Sequence, residues 1–215
     1  MSKVVSVDKA VEQIKDGMTI MIGGFLAVGT PEVLIDAIVK KGVKNLTIIC
    51  NDTGFVDKGS GKLVVAKQVK KVIASHIGTN KETGRQMFAG EMEVELVPQG
   101  SLAEKIRCGG MGLGGVYTET GVGTEVAKGK ETKVINGKEY LLELPLHADV
   151  AIIGATKADE VGNLYYAGST RNFNPLMAMA ADVVIVGAEE IVPVGGIDPS
   201  DAMTPGVVVD YIVQA

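Results

Sequence analysis

The chain has 215 residues, 46% of them apolar and 22% charged, with a net charge of -5 at pH 7. That length fills one substantial core and is short for two, the composition is ordinary for a soluble globular protein, and the mild acidity excludes the electrostatic footprint of a nucleic-acid or anionic-membrane binder. The absence of Trp excludes an aromatic stacking platform, whereas 28 glycines, about twice the usual share of roughly 7%, imply many tight turns and close backbone approaches.

Ser6 is placed to cap a first helix whose Val7, Ala10, Val11 and Ile14 share one face, and Asp16-Gly17 ends it. Met18 to Ile22 is an apolar, β-branched-rich run, the pattern of a strand buried on both faces. After Gly23-Gly24, Thr30 reads as an N-cap and Pro31 as the first residue of a helix with Leu34, Ala37 and Ile38 at helical spacing. Lys40 and Lys41 suit its last turn and Gly42 its C′ position. Leu46 to Cys50, Val72 to Ala74 and Glu93 to Val97 are the next strands, with a helix over part of Gly61 to Lys70. Ser101-Leu-Ala-Glu104 has the form of a capping box, predicting a helix that starts there and stops at Gly109.

From Gly109 to Gly129 the chain is glycine-rich and predicts a long ordered loop, followed by a hairpin over Thr132 to Leu142 turned at Asn136-Gly137. Asp149 to Gly154 and Asp182 to Gly187 are two more buried strands, separated by a helix from Asn174-Pro175 to Ala180, and Val207 to Val213 is a last strand. Strands alternating with helices at these lengths predict an α/β fold: a mainly parallel sheet covered on both faces, with right-handed crossovers and a small β-hairpin excursion. No internal repeat or linker stands out, so residues 1–215 read as a single domain.

Chemistry concentrates in the opening unit of strand, glycine loop and helix N-terminus. Free backbone N–H groups and the positive end of a helix dipole collect there, which favours anionic or carbonyl oxygens, although the same geometry also serves as a plain turn. It is neither a P-loop, since no Gly-Lys-Ser/Thr follows, nor G-x-G-x-x-G. Gly110, Gly112 and Gly115 do match the latter, but they follow a helix instead of a strand. Cys50 and Cys108 read as small buried apolar residues; His76 and His147 lack metal-spaced companions; and Ser75 has no G-x-S-x-G surround. His76 ends a strand, at the edge where α/β sites form. No h-region and no membrane-length apolar run are seen, so the expected location is cytoplasmic.

One pattern in the unit goes further. Asp16, Gly17, Ile20, Met21, Ile22, Gly23, Gly24, Phe25, Gly29 and Pro31 resemble the opening motif of the alpha chain of class I coenzyme A transferases, the first of their two subunits. The likeness continues in family order through Asn51-Asp52-Thr53, Val72 to Asn80, Val97 to Gly100, Arg107 to Gly110 and Gly121 to Thr124. It is nearest to the short-chain acyl types, those acting between acetate or butyrate and acetoacetate.

The resemblance implies a three-layer α/β/α fold of the CoA-transferase and isomerase-like kind. It implies coenzyme A or acyl-CoA as substrate beside a short-chain carboxylate, with no resident cofactor and no metal. The family's nucleophile is a glutamate in a Glu-x-Gly-x-x-Gly segment of a homologous beta subunit. Here Glu160-Val-Gly162 begins that way but Tyr165 stands where the last Gly belongs, so no catalytic nucleophile is expected on this chain, and Asp159 to Asn163 reads as a loop. The implied assembly is an α2β2 heterotetramer. Gly23, Gly24, Phe25, Leu26, Ala27, Val28 and Gly29 are then the residues expected to hold CoA or give N–H donors to a developing oxyanion. A sugar-phosphate-isomerase-like enzyme on the same fold, or a non-catalytic acyl-CoA-binding subunit, are the alternatives.

Overall fold

The computed structural model describes residues 2–215. In chain order the elements are α1 (Val7–Val11), β1 (Thr19–Ile22), α2 (Glu32–Lys41), β2 (Leu46–Asp52), α3 (Gly61–Val65), β3 (Val69–His76), α4 (Lys81–Phe88) and β4 (Glu93–Leu96). They continue with α5 (Gln99–Gly110), β5 (Val116–Thr118), β6 (Thr132–Ile135), β7 (Lys138–Glu143), β8 (Ala148–Asp159), β9 (Leu164–Tyr165), α6 (Asn174–Ala178), β10 (Ala181–Val192) and β11 (Tyr211–Gln214).

The main sheet has the order β11-β10-β8-β1-β2-β3-β4, all parallel, with β9 antiparallel on β8. Strand alternation divides its apolar residues between two cores. Ile20, Ile22, Ile48, Val72 and Ile152 face α1, α2 and α3, where Ala10, Ile14, Leu34, Ile38 and Leu63 complete one layer. Met21, Ile49, Ile73, Ile153 and Val186 face α5 and α6, where Leu102, Ile106, Met177 and Tyr166 complete the other. The result is the expected α/β/α sandwich.

Both margins of this sheet are protected. Residues 3–5 run along β11, with Val5 N–H donating to the Ile212 carbonyl at 2.9 Å and Ile212 N–H to that of Lys3 at 2.9 Å. At the other margin β4 is four residues long, and its Glu93 and Glu95 clasp Lys71 at 2.8 and 3.0 Å.

Several expectations are corrected. Thr30 does not cap α2: Pro31 holds the N-cap position, and the Thr30 hydroxyl turns back to the Gly23 carbonyl at 2.8 Å. The helix expected at Ser101 begins earlier, at Gln99, because Pro98 has the extended backbone of an N-cap and its carbonyl receives Leu102 N–H. Glu104 pairs with Arg107 instead of closing a capping box. The helix read over part of Gly61 to Lys70 is present and spans Gly61–Val65. Beyond it Lys67 turns through φ 52° and β3 starts at Val69. Helix α4 escapes the periodicity because its inward residues are Thr83 and Gln86, polar but buried, bonded to the Thr53 hydroxyl and the Val64 carbonyl. The glycine-rich stretch contributes β5, which makes the hairpin a three-stranded sheet of order β5-β7-β6. Glu143 pins that sheet to α5 through Lys105 and to the loop ahead of β6 through Lys130. Finally, Gly206–Val208 is a 3-10 turn, and the last strand begins only at Tyr211.

Candidate functional site

The sheet is built outward in both directions from β1, which adjoins β2 on one side and β8 on the other. A crevice opens beyond the carboxyl ends of strands at such a reversal of order. β8 and β10 deepen it by running on as a pair to Asp159 and Val192, well past the end of β1, and so form a wall.

The Gly23–Gly29 segment lies in this crevice as a tight hairpin. Phe25 and Val28 exchange both backbone bonds, 3.1 and 2.9 Å, around Leu26 (φ 47°) and Ala27 (φ 63°). Two consecutive side-chain-bearing residues in left-handed conformation are strained, and such strain persists only when the surroundings fix it. They do so closely. Leu26 N–H donates to Asp52 Oδ2 at 2.9 Å, Gly24 N–H to Asn172 Oδ1 at 3.1 Å, and Asn174 Nδ2 donates to the Gly29 carbonyl at 3.1 Å. Gly24 has φ 123°, and a Cβ there would collide with Thr30 Oγ1. The hairpin rests on Gly154 and Gly187 of the paired wall strands, where a Cβ would strike the Gly29 carbonyl oxygen and Pro31 Cβ respectively.

Of the hairpin's N–H groups, those of Gly23, Gly24, Phe25, Leu26 and Val28 are consumed within the protein. Among the described residues, only Ala27 and Gly29 keep N–H groups without a partner in this segment. Phe25, Leu26 and Val28 are exposed at its tip and border an apolar hollow of about 490 Å³ with Ser169 and Asn172. On the opposite flank a cleft of about 390 Å³ is lined by Val28 to Val33, Lys58, Gly154, Thr170 and Glu189.

No repeat stands out in the sequence, yet the structure has one. Gly54-Phe55-Val56-Asp57-Lys58-Gly59-Ser60 follows β2 as Gly24-Phe25-Leu26-Ala27-Val28-Gly29-Thr30 follows β1. Phe55 and Lys58 bridge as Phe25 and Val28 do, and both glycines of each copy have positive φ. The signal is the shared Gly-Phe-x-x-x-Gly-hydroxyl spacing; the five-residue helix after the second copy masks it.

Beside the hairpins, Asn51 gathers a polar cluster: its Oδ1 accepts from Ser75 Oγ at 2.9 Å and Gln99 Nε2 at 2.8 Å. Cys50 lies beneath both hairpins, and burial pushes its thiol up to about 12, consistent with an inert residue. His76 ends β3 opposite Asp52, while His147 pairs with Asp182 at the surface, 3.0 Å away. Glu160 is exposed in the turn between β8 and β9, away from the hairpins' partners. Among the described residues no cluster of three His, Cys, Asp or Glu could hold a metal, and no helix is long and apolar enough to cross a membrane.

Comparison with known proteins assigns the class: residues 4–215 match the coenzyme A transferase family, and the chain belongs to it. The chain is 57% identical over 213 residues to the alpha chain of the acetoacetyl-CoA:acetate/butyrate CoA transferase of Clostridium acetobutylicum, covering 99% of this chain and 98% of the relative. It is 55% identical over 212 residues to the alpha chain of the acetate CoA-transferase of Escherichia coli, covering 99% and 96%. An acyl-CoA transferase of Escherichia coli O157:H7, solved as a thioester complex with CoA, superposes with a TM-score of 0.89 at 22% identity. All of this chain corresponds to 47% of that one, a likeness of fold alone.

Proposed function

We propose that this chain is the alpha subunit of an enzyme exchanging CoA between a short-chain acyl-CoA and a free carboxylate, and that a homologous beta subunit supplies the glutamate nucleophile in an α2β2 assembly. The observation that carries the reading is the strained Gly23–Gly29 hairpin at the strand-order reversal, in a chain so similar to named alpha subunits of such enzymes.

The chemistry divides between the chains. The partner's carboxylate attacks the thioester carbonyl carbon, CoA leaves as thiolate, and an acyl-glutamyl anhydride results. Thiolate attack on the glutamyl carbonyl then expels the first carboxylate and leaves glutamyl-CoA, which the incoming acid reverses. In each addition negative charge builds on a carbonyl oxygen. The unpartnered N–H groups of Ala27 and Gly29 suit that oxygen, held rigidly so that no reorganisation is needed as charge develops. Phe25, Leu26 and Val28 offer apolar contact to the acyl end or the CoA arm, in a hollow that a partner chain would close against water.

CoA exchange between acetyl-CoA and acetoacetate should be measured for this chain, for the candidate beta chain and for their mixture, with sedimentation of the mixture. Activity is expected from the mixture alone, at the mass of two copies of each. Full activity from this chain by itself would overturn the reading.

A further inference from the structure

Both hairpins depend on one buried carboxylate. Asp52, at the end of β2, is 6% exposed. Its Oδ2 accepts Leu26 N–H at 2.9 Å and Asn51 Nδ2 at 2.7 Å, and its Oδ1 accepts Gly54 N–H at 2.8 Å. Among the described residues no cation pairs with it, so its partners are three N–H donors. One of these opens the strained turn of the first hairpin; another begins the second.

The bracing is reciprocal. Glu32, just after the first hairpin, accepts Gly59 N–H of the second at 2.7 Å and pairs with Lys62 at 2.7 Å. The two turns therefore form a single unit held by a carboxylate from each side. Leu26 and Ala27 occupy left-handed backbone that side-chain-bearing residues leave when released. Were the Leu26 bond to Asp52 lost, the turn would relax, and the N–H groups of Ala27 and Gly29 would no longer be aimed in fixed directions.

We propose that Asp52 is a positioning residue for CoA transfer: it locks the two hairpins together and thereby fixes the direction of the Ala27 and Gly29 N–H groups. This rests on the functional reading above, in which those N–H groups meet the reacting carbonyl.

The test uses the assembled two-subunit enzyme with Asp52→Ala and Asp52→Asn, and reads steady-state kinetics together with segment-resolved hydrogen exchange. Losing one oxyanion donor lowers rate on the order of 10²–10³-fold, and a merely disordered pair of donors should cost less, about thirtyfold in kcat for Asp52→Ala. KM for acyl-CoA should stay within about threefold, because the loss falls on the transition state. Exchange should quicken at least about tenfold in both 23–29 and 54–59 while β1 and β2 stay protected. Asp52→Asn keeps the shape and one oxygen acceptor, so it should assemble even if the alanine variant does not, with about a tenfold loss of kcat.

Faster exchange confined to 54–59, or an asparagine variant equal to wild type in both readouts, would overturn the proposal. Both hairpins loosening with kcat intact would leave Asp52 as their brace. That outcome would instead remove the hairpin from the reaction and overturn the functional reading.

Discussion

The hairpin after β1 and the hairpin after β2 share their spacing, their bridging pair and their flanking glycines, but not their conformational state. The first turns through Leu26 and Ala27 at positive φ and is held by Asp52, Asn172, Asn174 and Thr30. The second has no side-chain-bearing residue at positive φ, and it is held by as many side chains: Asp52, Glu32, Thr79, whose Oγ1 donates to the Gly54 carbonyl at 2.7 Å, and Asn80, whose Nδ2 donates to the Phe55 carbonyl at 3.4 Å. One plan thus yields a strained copy in the crevice at the strand-order reversal and a relaxed copy buttressing it. Strain retained in only one of two like elements is what the proposal that the first hairpin serves the reaction calls for.

The largest way to probe the contrast uses the thiol beneath both copies. Burial raises the Cys50 thiol to about 12, so the thiolate is scarce at neutral pH, and Cys108 on α5 is as fully buried. Native protein at pH 8 should alkylate at Cys50 at least about 10²-fold more slowly than a free thiol, read by mass spectrometry. Opening of the hairpins should accelerate Cys50 alone, whereas global unfolding accelerates both. The linkage has a definite sign. An unfolded thiol ionises near its ordinary value of 9.0 while the folded one holds its proton to about 12, so this contribution is intact below pH 9 and is lost as pH rises from 9 to 12. Equal acceleration of the two cysteines in Asp52→Ala, which loosens the hairpins, would mean that the hairpins do not roof Cys50.

A smaller effect is expected at the paired hydroxyls. Thr30 Oγ1 donates to the Gly23 carbonyl at 2.8 Å, whereas Ser60 Oγ reaches the Asp52 carbonyl only at 3.2 Å. Thr30→Val should lower unfolding free energy by about 1–2 kcal/mol and Ser60→Ala by about 0.5–1 kcal/mol, with Thr30→Ser sparing most of the loss. Urea titrations at equal m-value measure this; a reversed ranking would make the second copy the tighter one.

The smallest effect is the most direct. Glycine suits left-handed backbone, so relief of strain in Leu26→Gly should offset the lost side-chain contact and leave stability within about 0.5 kcal/mol of the parent. Val56→Gly has no such relief and should lose about 0.5–1 kcal/mol. Equal losses at the two positions would erase the distinction.

Much of the framework was legible because the parallel strands are apolar on both faces and announce themselves as runs, Met18 to Ile22 and Asp149 to Gly154 among them. The glycine segment 23–29 was legible as a strand-to-helix loop and its family pattern as a motif. Its fastenings were not, since Asn172 and Asn174 meet it from the far end of the chain, and neither spacing nor composition encodes that contact. Asp52 was visible as part of the Asn51-Asp52-Thr53 match but not as a brace, because its role depends on β2 lying beside β1. Helix α4 hid behind a buried face of Thr83 and Gln86, and the Thr30 cap failed since the hydroxyl had a nearer use in closing the hairpin.

The guarded margins of the main sheet have a consequence for assembly. An open row of backbone donors and acceptors is a template on which a further strand, from any chain, can add. Here one row is occupied by residues 3–5 and the other is shortened to four residues and fenced by the carboxylates of Glu93 and Glu95 around Lys71. Strand addition along the main sheet is therefore disfavoured, and contact through side chains is the route its margins leave open. Of the chain's sheet margins, the open ones left for strand addition are those of the small sheet, at β5 and β6, not the one along β11.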